Sequence, residues 1–172
     1  MKILYLLRHA HAAPRELSLS DFDRPLDERG YRQAEAVASY LKEKKMTFDF
    51  VMCSAALRAR ETLEPLRSVV GTEEFQVSEE FYNSPENQIL KHLQGVSDEW
   101  NRVLYIGHNP GIAFAALKFT KVFPEVLIEG VIPATLMGFQ FPLDHWKDLD
   151  WWKGEVVDVF QPMIPQTEPP AP

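Results

Sequence analysis

Short apolar runs alternate with longer amphipathic segments along this chain. Residues 3–7 (ILYLL) are continuously apolar, and similar runs recur at 48–54 and 102–107. A continuous apolar run is typical of a strand that is buried on both faces of a sheet. Weaker strand patterns follow at 74–81, 135–141 and 154–160.

Between these runs, apolar residues recur at three- and four-residue spacing, with charged residues on the opposite face. This pattern predicts helices within 24–45, 55–70, 84–96 and 110–123. We expect Ser54 and Ser84 to cap the second and third helices. Pro65 should shorten or kink the second helix, because proline lacks the amide hydrogen that a helix interior needs.

The alternation of strands and helices predicts an α/β protein, in which helices cover both faces of a mostly parallel central sheet. A length of 172 residues is typical of one domain. We expect that domain to end near residue 160. Residues 161–172 are proline-dense and predict a solvated, extended tail.

Composition and charge exclude several classes of partner. The formal net charge is −7, so a nucleic-acid surface is not expected. Most of the positive charges lie within residues 1–62, which is compatible with binding of a small anion. The apolar runs are far shorter than the ~18 residues of a membrane span. Cys53 is the single cysteine, which precludes an intrachain disulfide. No secretory signal is visible at the start of the sequence. We therefore expect a cytoplasmic protein that binds neither nucleic acid nor membrane.

Candidate chemistry lies where the predicted strands end. Arg8 and His9 follow the first strand, Arg58 lies near the start of the helix after the second, and His108 follows the fourth. In open α/β sheets, ligands bind beyond the carboxyl ends of the strands. The sequence therefore predicts that three separate segments bring these four residues to one rim.

Two arginines and two histidines are suited to phosphoryl transfer. A guanidinium binds phosphate oxygens at two points and stays charged, and a histidine can form a covalent phosphoryl intermediate. As a nucleophile, His9 must be neutral, with its other ring nitrogen donating a hydrogen bond, most simply to a backbone carbonyl. The alternative of a metal site is weak, because His9 and His11 would face opposite sides of an extended strand and no cysteine or carboxylate stands at zinc spacing nearby.

Three motifs, in order, resemble those of the histidine phosphatase superfamily, the phosphoglycerate-mutase-like group. They are LLRHA at 6–10, SAALRARETL at 54–63 and YIGHNPG at 105–111. With DRPLDERG at 23–30 and the short chain, they look most like the branch typified by the phosphohistidine phosphatase SixA. The resemblance implies a three-layer phosphoglycerate mutase-like fold over residues 1–160, and an enzyme that needs no metal and no cofactor.

The resemblance also implies roles for the four rim residues. His9 is expected to be the phosphorylated nucleophile and His108 the second catalytic histidine, and Arg8 and Arg58 are expected to bind phosphate. Ala10 stands where the superfamily signature usually has glycine. Alanine is the smallest replacement, so the backbone can still approach closely if φ is negative there.

Other residues are weaker candidates. Ala10 and Asn109 are expected to line the pocket, and His11 is assigned no more than pocket lining. Arg24 is expected either to line the mouth of the pocket or to pair with an aspartate. The candidates for a general acid are Asp21, Asp23, Glu80 and Glu86, none of which stands in a recognisable motif.

An acid-poor site favours a phosphohistidine substrate, because imidazole leaves readily once it is protonated whereas an alkoxide needs a proton donor. The sequence therefore predicts a phosphatase that acts on phosphohistidine in proteins. Two alternatives remain open, namely a phosphatase of small phosphate esters and a catalytically idle phosphate-binding module.

Overall fold

The first strand lies inside a six-stranded sheet in the computed structural model, which describes residues 1–15, 20–122, 124–127 and 130–163. The strands are β1 (Lys2–Arg8), β2 (Phe50–Ser54), β3 (Phe75–Ser78), β4 (Arg102–Gly107), β5 (Leu136–Phe141) and β6 (Glu155–Phe160). Their order across the sheet is β3-β2-β4-β1-β5-β6. The four strands from β3 to β1 pair in parallel, and β5 pairs antiparallel with both of its neighbours, β1 and β6.

Four α-helices cover the sheet. They are α1 (Glu28–Glu43), α2 (Leu57–Leu63), α3 (Glu86–Gln94) and α4 (Gly111–Phe119). Side chains of α1 and α2 pack on one face of the sheet, in a cluster with Tyr5 and Leu7 of β1. Side chains of α3 and α4 pack on the other face, with Leu4 and Leu6. The expected α/β fold with three layers is confirmed, and β1 is buried on both faces as its apolar run predicts.

Two helices end earlier than the sequence pattern predicts. The second helix ends at Leu63 and continues as a short 3-10 turn over Glu64–Leu66 that contains Pro65, as the missing proline amide requires. The fourth ends at Phe119, four residues before the predicted end at 123. Thr120 has extended backbone angles there and pairs with Gly154.

The expected serine caps are wrong at both helices. The helix α2 follows Ala56, which makes no side-chain cap, and the Ser54 hydroxyl lies 2.7 Å from a ring nitrogen of His108. The helix α3 follows Pro85, and the Ser84 hydroxyl donates to the carbonyl of Glu80. In both places another hydrogen bond replaces the expected cap.

The first turn of α1 is joined to the segment that follows β1. Asp27 caps α1 by accepting from the Gly30 amide at 2.8 Å, and the Asp27 amide donates to the His11 carbonyl at 3.2 Å. Gln33, which is fully buried, accepts from the His11 amide at 2.8 Å. A Cβ added to Gly30 would overlap the His11 carbonyl oxygen. Only glycine therefore lets the helix pack directly against the segment that contains His9.

The described part of the chain stays packed for two residues beyond the expected domain end at 160. Gln161 donates to the Thr135 hydroxyl at 3.1 Å, and Pro162 is buried. The rest of the predicted tail, 164–172, lies outside the described residues. Within the residues described, no helix is long and apolar enough to cross a membrane.

We predict that Gly30→Ala destabilises the protein by about 1–3 kcal/mol, because the new methyl group displaces the His11 backbone. The measurement is the free energy of unfolding in urea. Gly95→Ala is the matched control, since its φ is −86° and a Cβ added there would meet no atom closer than the His92 carbonyl oxygen at 3.5 Å. Equal effects of the two substitutions would contradict the account.

Candidate active site

The ends of β1 and β4 are fixed side by side. The His9 amide donates to the Gly107 carbonyl at 3.0 Å, and the Ala134 amide donates to the His9 carbonyl at 3.2 Å. Because β1 and β4 run in parallel, their carboxyl ends place His9 and His108 at the same edge of the sheet. The two ring centroids are 4.9 Å apart.

The hydrogen bonds of His9 determine which of its nitrogens carries the proton. Its Nδ1 lies 2.7 Å from the Ala10 carbonyl oxygen, which only accepts, so Nδ1 must be the donor. The Arg58 Nε–H donates to His9 Nε2 at 3.2 Å, so Nε2 presents a lone pair. His9 is 7% exposed. The side chain is therefore a neutral, oriented imidazole.

Burial, together with the positive charges of Arg58, Arg8 and Arg24, lowers the pKa of His9 to about 3. The Ala10 carbonyl acts in the opposite sense, because it stabilises the protonated ring. The burial effect is larger, so His9 remains unprotonated at neutral pH.

The helix α2 is linked to the turn after β1 through Thr62. The Thr62 hydroxyl accepts from the Ala10 amide at 2.9 Å and donates to the Arg58 carbonyl at 2.7 Å. Ala10 itself is fully buried. These contacts fix the position of Arg58 relative to the backbone beside His9. Arg60, two residues further along the helix, is exposed.

His108 is 3% exposed and follows β4 directly. Its Nε2 lies 2.7 Å from the Ser54 hydroxyl, and its Nδ1 is buried with no hydrogen-bond partner among the described residues. Burial lowers the pKa of His108, and His9 and Arg58 lower it further. This second ring is also neutral and has one ring nitrogen available.

Arg8 and Asn109 meet at a single backbone oxygen. Arg8 Nη1 donates to the Val131 carbonyl at 2.7 Å, and Asn109 Nδ2 donates to the same oxygen at 3.0 Å. Arg8 Nε is buried without a partner among the residues that the structure describes. The Arg8 guanidinium is therefore held at one nitrogen while another of its donors stays unused.

Asp21 lies between the two other arginines of the site. Its carboxylate accepts from Arg58 Nη2 at 3.0 Å and lies 3.3 Å from Arg24 Nη2. The Tyr82 hydroxyl donates to the same carboxylate at 2.6 Å. These contacts, Tyr82 foremost, lower the pKa of Asp21, so the group is ionised.

The three other candidate acids lie apart from this cluster. Asp23 accepts from the Ser20 hydroxyl at 2.6 Å, and Glu80 is exposed. Glu86 binds Lys118 at 2.9 Å, near the end of α4 that is remote from His108.

His11 pairs with Asp27 at 2.7 Å and supports the start of α1. Among the described residues, no three side chains of His, Cys, Asp or Glu converge as a metal site would require.

Comparison with known proteins identifies the family. Residues 4–83 match the histidine phosphatase superfamily, branch 1. An uncharacterized protein of Mycobacterium leprae is 33% identical over 118 residues, which cover 66% of this chain and 71% of that protein. The solved structure assigned as phosphohistidine phosphatase SixA of Nakamurella multipartitia is 25% identical, with a TM-score of 0.82 over 95% of this chain and 97% of that one. This chain belongs to the histidine phosphatase superfamily.

Its fold is that of the SixA-type members. A mycobacterial glucosyl-3-phosphoglycerate phosphatase also shares the fold, with a TM-score of 0.60, 16% identity and coverage of 90% of this chain and 99% of that one. The family and the similarity to the Nakamurella structure support a phosphatase.

The contacts of three groups in this site could not be identified from the sequence. Ser54 bonds to His108, although its position before a helix predicts a cap. Tyr82 comes from the segment after β3 and contacts both Asp21 and the ring of His108, with ring centroids 5.4 Å apart in the second contact. The Val131 carbonyl is a backbone acceptor, which no side-chain pattern reveals.

We predict that the two buried histidines make the folded protein less stable in acid. In the unfolded chain a histidine takes up a proton near pH 6.5, but His108 in the fold does not, so the unfolded state binds more protons as pH falls. As the pH falls below about 6.5, the free energy of unfolding therefore decreases by about 1.4 kcal/mol per pH unit for each such group.

The test is the free energy of unfolding of His108→Gln between about pH 6 and pH 4. Its dependence on pH should be shallower than that of the wild type by about 1.4 kcal/mol per pH unit. His145→Gln, which replaces a half-exposed surface histidine, is the control. If His108→Gln keeps the wild-type slope, the buried ring is not held neutral.

Proposed function

We propose that this protein is a phosphatase that removes phosphate from phosphohistidine in proteins, through a covalent intermediate on His9. The observation that supports this most is the state of His9, a buried neutral imidazole whose Nδ1 is fixed by Ala10 and whose Nε2 presents a lone pair. A nucleophilic histidine needs these properties at neutral pH.

The reaction proceeds in two displacements. In the first, His9 Nε2 attacks phosphorus, a new P–N bond forms, and the P–N bond to the substrate imidazole breaks. The leaving ring takes a proton on the nitrogen that was bonded to phosphorus, and solvent can supply that proton. In the second, water attacks the phosphorus on His9, a P–O bond forms and the P–N bond to Nε2 breaks. Inorganic phosphate leaves, the protons of the water pass to phosphate and solvent, and the neutral imidazole of His9 is restored.

The surrounding cations stabilise the phosphoryl group during transfer. Arg58 Nε donates to the His9 lone pair, and Arg8 Nε has no partner among the described residues, so we expect both guanidinium groups to bind the phosphoryl oxygens once substrate is present. The neutral ring of His108, 4.9 Å from that of His9, contributes a ring N–H to an oxygen as charge develops there. Arg24 lies beside Asp21 at the edge of the same cluster.

The carboxylates favour a phosphohistidine substrate. Asp21 is ionised by its contacts with Tyr82, Arg58 and Arg24, and the other candidates lie apart, so none of the four candidate acids is both protonated and placed to serve an alkoxide. An imidazole leaving group does not require one. The SixA assignment of the structural relative supports the same substrate class.

Small phosphate esters are the second candidate. Asp21 is the one candidate carboxylate that lies in contact with Arg58, and it would serve as an acid if substrate binding raised its pKa. An ester phosphatase with this fold is also known among the structural relatives. The two candidates differ in which substrate reacts faster.

We predict that kcat/KM on a phosphohistidine peptide exceeds that on the matched phosphoserine peptide by at least tenfold, or about 1.4 kcal/mol in transition-state terms. The measurement is release of inorganic phosphate at neutral pH from two peptides that differ only at the phosphorylated residue. Faster turnover of phosphoserine would favour the ester reaction. No turnover of either peptide, and no phosphoryl group on His9, would leave only a phosphate-binding module.

We also predict that Arg58→Ala weakens vanadate binding and lowers kcat, at a cost of about 2–5 kcal/mol, because it removes a charged donor from a desolvated site. Arg60→Ala is the matched control, since Arg60 lies on the same helix and is exposed. Vanadate affinity and steady-state rates of both variants give the comparison. A larger loss in Arg60→Ala would mean that Arg58 does not bind phosphate.

A further inference from the structure

A continuous chain of hydrogen bonds leads from His9 to Asp21. Arg58 Nε–H donates to the His9 lone pair at 3.2 Å, Nη2 donates to the Asp21 carboxylate at 3.0 Å, and Nη1 donates to the Asp21 carbonyl. Every nitrogen of this guanidinium is therefore engaged by a group of the protein itself. The lone pair that would attack phosphorus is covered by one of those N–H groups.

The Asp21 carboxylate is bound as a small anion would be bound. Its oxygens accept from Arg58 at 3.0 Å and from the Tyr82 hydroxyl at 2.6 Å, and Arg24 Nη2 lies 3.3 Å away. Two guanidinium groups and a phenol are also the donors that proteins use for phosphate. A phosphoryl group that approaches His9 Nε2 must accept hydrogen bonds from Arg58, and the Asp21 carboxylate already accepts from this guanidinium.

The backbone at this point is fixed, so that only the side chain is free to leave. The Leu57 amide, at the start of α2, donates to the Phe22 carbonyl at 3.0 Å. The Asp21 carbonyl is held by Arg58 Nη1. The Asp21 side chain is about one-third exposed, so rotation of the carboxylate toward solvent displaces no part of the core.

We propose that the Asp21 carboxylate is the resting occupant of the phosphoryl site, and that the substrate binds by exchanging its phosphoryl group for that carboxylate on Arg58 and Arg24. The proposal rests on the proposed function, because it takes the cluster of Arg58 and His9 to be the phosphate site. Asp21 is then a positioning residue rather than a general acid. It holds Arg58 over His9 until a dianion replaces it.

This exchange has a consequence for the product. Inorganic phosphate must compete with a carboxylate that belongs to the protein. Its apparent affinity is the intrinsic affinity multiplied by the fraction of molecules in which Arg58 is free. The Asp21 carboxylate thereby lowers product inhibition. The same competition raises the substrate concentration that is needed for half-maximal rate.

The first experiment measures the dissociation constant of inorganic phosphate by calorimetry and its inhibition constant against turnover. Asp21→Asn should bind phosphate at least tenfold more tightly than the wild type, and its inhibition constant should fall in parallel. Asp23→Asn is the matched control for the loss of one nearby negative charge, since Asp23 contacts Ser20 rather than the arginines, and its affinity should stay within twofold. Unchanged or weaker binding by Asp21→Asn would overturn the proposal.

The second experiment uses the wild-type protein and so does not depend on the folding of a variant. A crystal structure with orthovanadate should show vanadate on Arg58 and the Asp21 carboxylate released from Arg58 Nη2. Vanadate bound beside an intact Asp21–Arg58 pair would refute the exchange and leave the phosphatase proposal standing. Vanadate that does not bind near His9 would instead refute the proposed phosphate site. Displacement of Asp21 by vanadate, together with no label on His9 after reaction with a radiolabelled phosphohistidine peptide, would uphold the exchange and refute the covalent mechanism.

Discussion

The hydrogen bond from His9 Nδ1 to the Ala10 carbonyl is the contact on which the rest of the site depends. It fixes the tautomer, directs the Nε2 lone pair toward Arg58 and restricts rotation of the ring. The carbonyl by itself favours the protonated imidazole, so neutrality must come from elsewhere. Burial and the positive charges of Arg58 and Arg8 supply it by lowering the pKa of His9 to about 3. A cationic pocket thus binds an anion and keeps its own nucleophile unprotonated.

The fold holds this contact from both sides. The strands β1 and β4 end together and place His9 beside His108, while α1 and α2 pack against the segment after β1 through Gly30 and Thr62. The Thr62 hydroxyl binds the Ala10 amide, so the backbone that presents the Ala10 carbonyl is itself anchored. The position of the nucleophile is therefore set by packing and backbone hydrogen bonds rather than by the reacting groups.

The strand and helix periodicity predicts this architecture because burial on two faces requires the continuous apolar runs that β1 and β4 contain. It also brings Arg8, Arg58 and His108 to one rim, since parallel strands end at one edge. The contacts of Asp21, Tyr82 and Ser54 could not be predicted in this way. They depend on how the segments after β1 and β3 approach the end of β2, and the helix-capping position of Ser54 is overridden by a tertiary hydrogen bond. The helix α2 is short because Pro65 ends it.

The central claim is that His9 accepts the phosphoryl group, and rapid quenching tests it most directly. Protein mixed with a radiolabelled phosphohistidine peptide and quenched in alkali should retain label on a peptide that contains His9, because phosphohistidine survives base but is lost in acid. The label should appear before free phosphate and decay as phosphate is released. The His9→Ala variant should retain none and the surface variant His145→Ala should retain the wild-type amount. Label on another residue, or turnover by His9→Ala, would contradict the covalent mechanism.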